Sequence, residues 1–127
     1  MDANDVRLVV ITRRYNVIEL STILGRASDR PANVQAPNAV WTLQSRCDCT
    51  ARIESHLQDI IEQLDSLPSL LKNVPDGCDV FVSWCCTASS WSAGGTIGAD
   101  CLHALARYGL AIDIDFQFIG ETLADPQ

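Results

Sequence analysis

Two aspartates near the end of the chain have the spacing of residues that could act together. Asp113 and Asp115 lie two positions apart in the alternating segment 110–118. Residues two apart on a strand share a face, with Cα atoms about 6.5–7 Å apart. Such a pair can serve acid/base chemistry or metal ligation. The alternative is a pair of solvated charges on the wet face of a sheet, or charges paired with Arg7 or Arg107. We favour this structural interpretation because no histidine motif accompanies the pair.

Histidine is the second source of chemistry, and the chain has two. His56 lies one position before Leu57 and three after Ile53, at the edge of an apolar helical stripe. It could act as a general base, but we expect it to hydrogen-bond a strand end and fix a packing contact. His103 is expected to be exposed. No His-x-x-x-His or His-Glu pair occurs, which excludes a zinc-protease motif.

Six cysteines could form disulfides, bind zinc or supply a nucleophile. The spacings Cys47-x-Cys49 and Cys85-Cys86 lack the gap of two to four residues that is typical of zinc sites. The acidic start, Met-Asp-Ala-Asn-Asp, differs from the basic start of a signal peptide. We therefore predict a cytoplasmic location, six free thiols and no bound metal or cofactor. A Cys–His pair stays open, although no spacing selects one. The six are Cys47, Cys49, Cys78, Cys85, Cys86 and Cys101.

Two loop features suggest binding. Gly94-Gly95-Thr-Ile-Gly98 precedes a predicted helix and could cradle an anion, but it lacks the Lys-Ser/Thr of a P-loop, which favours a flexible connection. Trp91 lies between two serines, and aromatic residues among small polar ones are common on recognition surfaces. We take Trp91 as a candidate binding contact and assign Trp84, inside a predicted strand, to the core.

Charge limits the class of partner. Nine Lys and Arg residues against sixteen Asp and Glu residues give a net charge of −7. Nucleic-acid binding needs clustered basic residues, so we predict no nucleic-acid partner. The apolar runs are far shorter than the roughly 20 residues of a membrane span. An acidic surface favours solubility or binding to a basic protein.

Periodicity predicts one α+β domain over residues 1–127, in the order β-α-β-α-β-(β)-α-β. We expect a mainly antiparallel sheet with helices packed on one face. Asn16, Glu19 and Gly25 predict a short capped helix, and Thr50 or Asp48 is expected to cap the long one. The predicted strands are 6–13, 39–46, 79–86 and 110–118, with an optional edge strand near residue 91. The predicted helices are 17–24, 51–64, 66–73 and 99–108.

The last strand has the most regular alternation of the chain. Its apolar residues are predicted to face the core, whereas the aspartates and Gln117 face water. Burial of a packed aliphatic side chain makes its truncation costly, so Ile114 is expected to be as important for stability as Leu57. The apolar residues are Leu110, Ile112, Ile114, Phe116 and Phe118.

Several short motifs resemble a known family. They are the helix end Leu24-Gly25, the strand segment 41–45, the His56-Leu57 pair, the glycines at 94–95 and the closing segment 105–116. Together they resemble the domain-of-unknown-function 4279 family of small stand-alone bacterial proteins, over residues 6–118. The many cysteines and the Ser-rich segment 87–93 depart from that pattern. The resemblance implies an intracellular, single-domain α+β protein and supplies no activity.

These observations leave two main hypotheses for function. The first is a non-catalytic binding or interaction protein, such as an inhibitor or immunity-type protein for a basic partner. Its candidate contacts are Trp91, His56, Asp113 and Asp115. The second is a small hydrolytic enzyme that uses Asp113 and Asp115 or a Cys–His pair. A third, a structural or oligomerisation unit, has no residue pattern of its own.

Overall fold

Four strands form one mixed sheet in the computed structural model, which describes residues 2–30, 38–89 and 94–119. A short 3-10 helix, Leu71–Asn73, follows the longest helix. The strands are β1 (Ala3–Thr12), β2 (Ala39–Gln44), β3 (Asp79–Ala88) and β4 (Ala111–Phe118), and the α-helices are α1 (Val17–Leu24), α2 (Ile53–Ser66) and α3 (Ala99–Arg107).

The strand order is β2-β1-β3-β4. β1 runs antiparallel to β2 and β3, whereas β4 is parallel to β3. The parallel pair requires a crossover, and α3 lies within it. The prediction of an α+β fold with a mainly antiparallel sheet is confirmed. The optional strand near Trp91 lies outside the described residues.

The three helices cover one face of the sheet. Alternate residues of β1 point toward them, and the same alternation continues in β2 and β3. These side chains form one buried cluster with residues from α1, α2 and α3. The cluster includes Val6, Leu8, Val10, Leu20, Trp41, Leu43, Leu57, Ile60, Val82, Trp84 and Leu105.

Local signals set both ends of α1. The Asn16 side chain accepts a hydrogen bond from the Glu19 N–H at 2.8 Å, and the Glu19 carboxylate accepts one from the Asn16 N–H at 3.0 Å. Gly25 ends the helix at φ 76°, a conformation that costs glycine little. The predicted capping box and C-terminal glycine are confirmed.

The predicted apolar stripe places α2 correctly, but its predicted cap is wrong. The N-cap is Arg52, which makes no side-chain capping bond. Asp48 instead accepts hydrogen bonds from the N–H and hydroxyl of Thr50, at 2.9 and 2.8 Å, in the preceding turn. Those bonds lower the pKa of Asp48. The two candidate capping residues, Asp48 and Thr50, therefore bond to each other in the turn before α2.

The connection into α3 packs against α2. A Cβ added to Gly95 would lie 2.5 Å from a methyl group of Ile53, so this close approach requires glycine. The Gly98 N–H donates to the Glu54 carboxylate at 2.7 Å. An acidic side chain of the same chain thus lies at this helix N-terminus, where the sequence suggested an anion cradle. The side chain of Leu102 on this helix is exposed.

Candidate functional site

Strand β4 forms one edge of the sheet. Its register with β3 pairs Ile112 with Val82, Ile114 with Trp84 and Phe116 with Cys86. Paired residues point to the same face of a sheet. The apolar side chains of β4 therefore point to the side that carries the helices, as the alternation predicts.

The predicted burial of this apolar row is confirmed for Leu110, which is part of the core, but is wrong for Ile114 and Phe116. Ile114 is 56% exposed and Phe116 is 45% exposed, whereas Trp84 in the adjacent strand is 6% exposed. The physical reason is position, because the helices cover the inner strands and leave most of β4 uncovered. Among the described residues, β4 packs mainly on β3. Ile119, just after the strand, is also exposed.

The two aspartates point to the opposite face and are exposed, as predicted. Asp113 pairs with Ser83, and Asp115 pairs with Cys85, whose Sγ lies 4.0 Å from an Asp115 oxygen. The Gln117 amide donates to Asp115 at 3.3 Å. Neither carboxylate forms an ion pair within residues 2–30, 38–89 and 94–119.

The arginines expected near these aspartates do not pair with them. Arg7 instead binds Asp5 through two hydrogen bonds, at 2.9 and 2.7 Å. The Arg7 hydrogen bond lowers the pKa of Asp5 although partial burial acts in the opposite direction. Arg107 forms no ion pair in the part of the chain that the structure describes. The acidic pair is therefore available to a positively charged ligand.

An open groove of about 310 Å³ lies on the face of the sheet opposite the helices. Asp113, Arg7, Ser83 and Cys85 contribute to its lining, and the side chains of Val9 and Phe81 supply apolar surface. Asp115 is absent from its described lining. Only one member of the acidic pair, Asp113, therefore lines the groove, whereas the Cys85 thiol in its lining lies near Asp115.

His56 lies on the other side of the sheet. Its Nδ1 is 2.7 Å from the Ser45 hydroxyl, and both residues are buried. Ser45 directly follows β2, so the contact joins a strand end to α2. Burial lowers the pKa of His56, although the Asp48 backbone and nearby carboxylates oppose that effect. The sheet separates this pair from Asp113 and Asp115.

Ser45 is a site residue that the sequence analysis missed. Its hydroxyl also accepts the Cys47 N–H at 3.2 Å, so one hydroxyl contacts both the His56 ring and the backbone that follows β2. No sequence spacing links Ser45 to His56, because the contact forms when α2 packs beside the end of β2. The buried position gives the pair a packing role and little access to a substrate.

The cysteines do not form the suggested Cys–His pair among the described residues. Cys47 donates to the Ser55 carbonyl at 3.6 Å, and Cys85 faces Asp115. Burial raises the thiol pKa of Cys86 and of Cys101, which disfavours the reactive thiolate. No group of three or more His, Cys, Asp or Glu side chains in the described ranges could hold a metal ion. The candidate contact Trp91 lies outside those ranges.

Comparisons with protein-family models, curated proteins and solved structures found no match to this chain. The resemblance to the domain-of-unknown-function 4279 family therefore stays a prediction. In the described part of the chain, no helix has both the length and the apolar character needed to cross a membrane. We use the name β4 surface for the exposed apolar and acidic side chains of β4 together with the adjacent Ile119, namely Asp113, Ile114, Asp115, Phe116 and Ile119.

Proposed function

We propose that this protein is a non-catalytic binding module that recognises a basic protein partner through the β4 surface. One observation carries the proposal: Ile114 and Phe116 are exposed on a strand whose neighbour, β3, is buried on the same face. Contiguous exposed apolar side chains on a folded protein indicate a site of association. Aromatic residues such as Phe116 are enriched in the cores of such sites.

Charge supports the choice of partner. Asp113 and Asp115 flank Ile114 in sequence and lie without ion-pair partners among the described residues. The whole chain carries a net charge of −7. Complementary charge speeds association and disfavours partners of the same sign. A basic protein fits this surface, and the phosphates of a nucleic acid do not.

An inhibitor or immunity-type role belongs to the same proposal, because it requires binding and no chemistry. A cytoplasmic location also belongs to it, since the cysteines are free thiols in the structure and thiols persist in reducing compartments. The hydrolytic alternative has less support. The sheet separates His56 from the aspartates, and the described thiols do not contact a histidine.

A peptide titration tests the proposal without a known partner. The probe is a fluorescein-labelled peptide of alternating Val and Lys, four residues of Val and three of Lys. The matched control replaces each Lys with Glu. Fluorescence anisotropy measures both, at low salt and at physiological salt. We expect the Lys peptide alone to bind, with an affinity that falls as salt rises.

The double variant Asp113→Asn, Asp115→Asn assigns the binding to β4. Losing two exposed charge contacts, at about 0.2–1 kcal/mol each, should weaken Kd by about 2- to 30-fold. The control variant Glu62→Gln, Asp76→Asn removes the same charge from exposed positions elsewhere. Equal binding of the two peptides, or equal effects of the two double variants, contradicts the proposal.

A further inference from the structure

The backbone of β4 bonds to β3 on one side, and its other side faces away from the sheet. The Ile119 N–H donates to the Ala88 carbonyl of β3 at 2.8 Å. Backbone groups of successive strand residues point to alternate sides. The N–H and C=O groups of the odd-numbered residues of β4 therefore form hydrogen bonds with β3. The N–H and C=O groups of Ile112, Ile114 and Phe116 point away from the sheet.

The opposite edge of the sheet differs, because a loop already bonds to it. The Thr42 N–H of β2 donates to the Ser28 hydroxyl at 3.0 Å, and the Gln44 N–H donates to the Asp29 carboxylate at 2.8 Å. The Asp29 N–H in turn donates to the Thr42 carbonyl at 2.9 Å. Such covering is a common protection of sheet edges. On the β4 edge, by contrast, the outward groups of Ile112, Ile114 and Phe116 have no such cover among the described residues.

We propose that the partner binds by adding an extended strand to the β4 edge, and that this strand alternates apolar and basic side chains. The inference rests on the proposed function and specifies how the same surface is used. Main-chain hydrogen bonds to Ile112, Ile114 and Phe116 supply affinity, and the alternate side chains supply selectivity.

The two faces of β4 define the alternation in the added strand. Side chains opposite one another in paired strands have Cβ atoms about 4.5–5.5 Å apart. Apolar side chains of the added strand lie beside Ile114 and Phe116, on the side of the sheet that carries the helices. Its Lys or Arg side chains lie on the other face, beside Asp113 and Asp115. An added strand with Asp or Glu in place of Lys or Arg would place its carboxylates beside those of Asp113 and Asp115.

A second copy of this chain fits the edge poorly. Antiparallel pairing of two β4 strands about Ile114 would place Asp113 opposite Asp115 of the second copy, twice. Like charges directly opposite each other destabilise strand pairing. Each copy also carries a net charge of −7. Charge complementarity therefore selects a basic strand over self-association.

Two substitutions at one position separate strand addition from side-chain docking. Ile114→Ala and Ile114→Pro both remove the branched isoleucine side chain, but only proline also removes the outward N–H. Proline is tolerated at edge positions whose N–H faces solvent. We expect the Val/Lys peptide to bind Ile114→Pro about tenfold more weakly than Ile114→Ala. Circular dichroism and thermal unfolding establish that both variants are folded.

The pair Phe116→Ala and Phe116→Pro repeats the test if the first proline variant does not fold. Equal affinity of the Pro and Ala variants for the Val/Lys peptide overturns strand addition. The proposed binding function is then tested separately by the Asp113→Asn, Asp115→Asn variant. Loss of the difference between Lys and Glu peptides overturns the proposed function itself. Sedimentation showing a wild-type dimer that Ile114→Pro dissociates overturns the choice of a basic partner in favour of a second copy.

Discussion

Trp84 and Ile114 are neighbours in the register of β3 and β4 and face the same side of the sheet, yet only Trp84 is buried. The change from a buried to an exposed side chain occurs across the distance between two neighbouring strands, about 4.8 Å. It marks the boundary between the core beneath the helices and an apolar row open to solvent. That boundary is the basis of the proposed binding role.

The same boundary predicts a difference in stability between two leucine-sized residues. Leu57→Ala empties a fully buried site and should lower the free energy of unfolding by about 2–5 kcal/mol. Ile114→Ala should lower it by less than about 1 kcal/mol, because the side chain is already largely in water. Urea unfolding of both variants measures the two losses. Losses of equal size would contradict the exposed position of Ile114.

The acidic pair should contribute little to folding. Asp113→Asn with Asp115→Asn should change the free energy of unfolding by less than about 1 kcal/mol, as expected for exposed charges. Urea unfolding at neutral pH provides the measurement. A marked gain in stability would instead show two carboxylates held together against their repulsion, as in functional acid pairs. That result would favour the hydrolytic alternative.

Stability should depend on pH through His56. Burial lowers its folded-state pKa below the ordinary value of 6.5. Between the folded and unfolded pKa values, the unfolded chain binds more protons. The contribution is therefore fully present above pH 6.5 and is lost as pH falls, with a slope of at most about 1.4 kcal/mol per pH unit. Urea unfolding between pH 5 and pH 8 measures this slope.

Two variants test whether His56 causes this dependence of stability on pH. His56→Asn should lower stability at every pH and flatten the decline between pH 6.5 and pH 5. His103→Asn, at an exposed position on α3, should leave the decline in place. An unchanged slope in His56→Asn would contradict the buried, neutral state of His56. The carboxylates with lowered pKa values, such as Asp5 and Asp59, act at lower pH and do not obscure the test.

The thiols should differ in their rates of alkylation. Cys49 is exposed, whereas Cys86 and Cys101 are buried and have raised pKa values. Iodoacetamide should modify Cys49 first and the two buried thiols last, with all six reacting in denaturant. Peptide mass spectrometry follows the order, and elemental analysis tests for zinc. A disulfide, stoichiometric zinc or early reaction of Cys101 would contradict the prediction.

Local signals in the sequence were sufficient for some elements. The bonds of Asn16 and Glu19 form within one helical turn, so residue type and spacing predict them. The stripe of α2 also follows from spacing, because one face of this helix contacts the sheet. The alternation of β4 correctly assigns Asp113 and Ile114 to opposite faces.

Other features depend on the arrangement of distant elements. Alternation cannot distinguish an edge strand from a central one, because both can carry an apolar face. The exposure of Ile114 follows from strand order and helix placement, neither of which its own segment encodes. The Ser45–His56 contact likewise requires α2 to pack beside the end of β2. The candidate binding side chain Trp91 remains a prediction, since it lies outside the described residues.

Amide hydrogen exchange, resolved by NMR, tests the central claim most directly. The wild-type protein is measured with and without a saturating amount of the Val/Lys peptide, and the Val/Glu peptide serves as control. Strand addition predicts slower exchange at the outward amides of Ile112, Ile114 and Phe116, with little change at Thr42 and Gln44 on the covered β2 edge. Unchanged exchange along β4, or protection at β2 instead, would contradict the account.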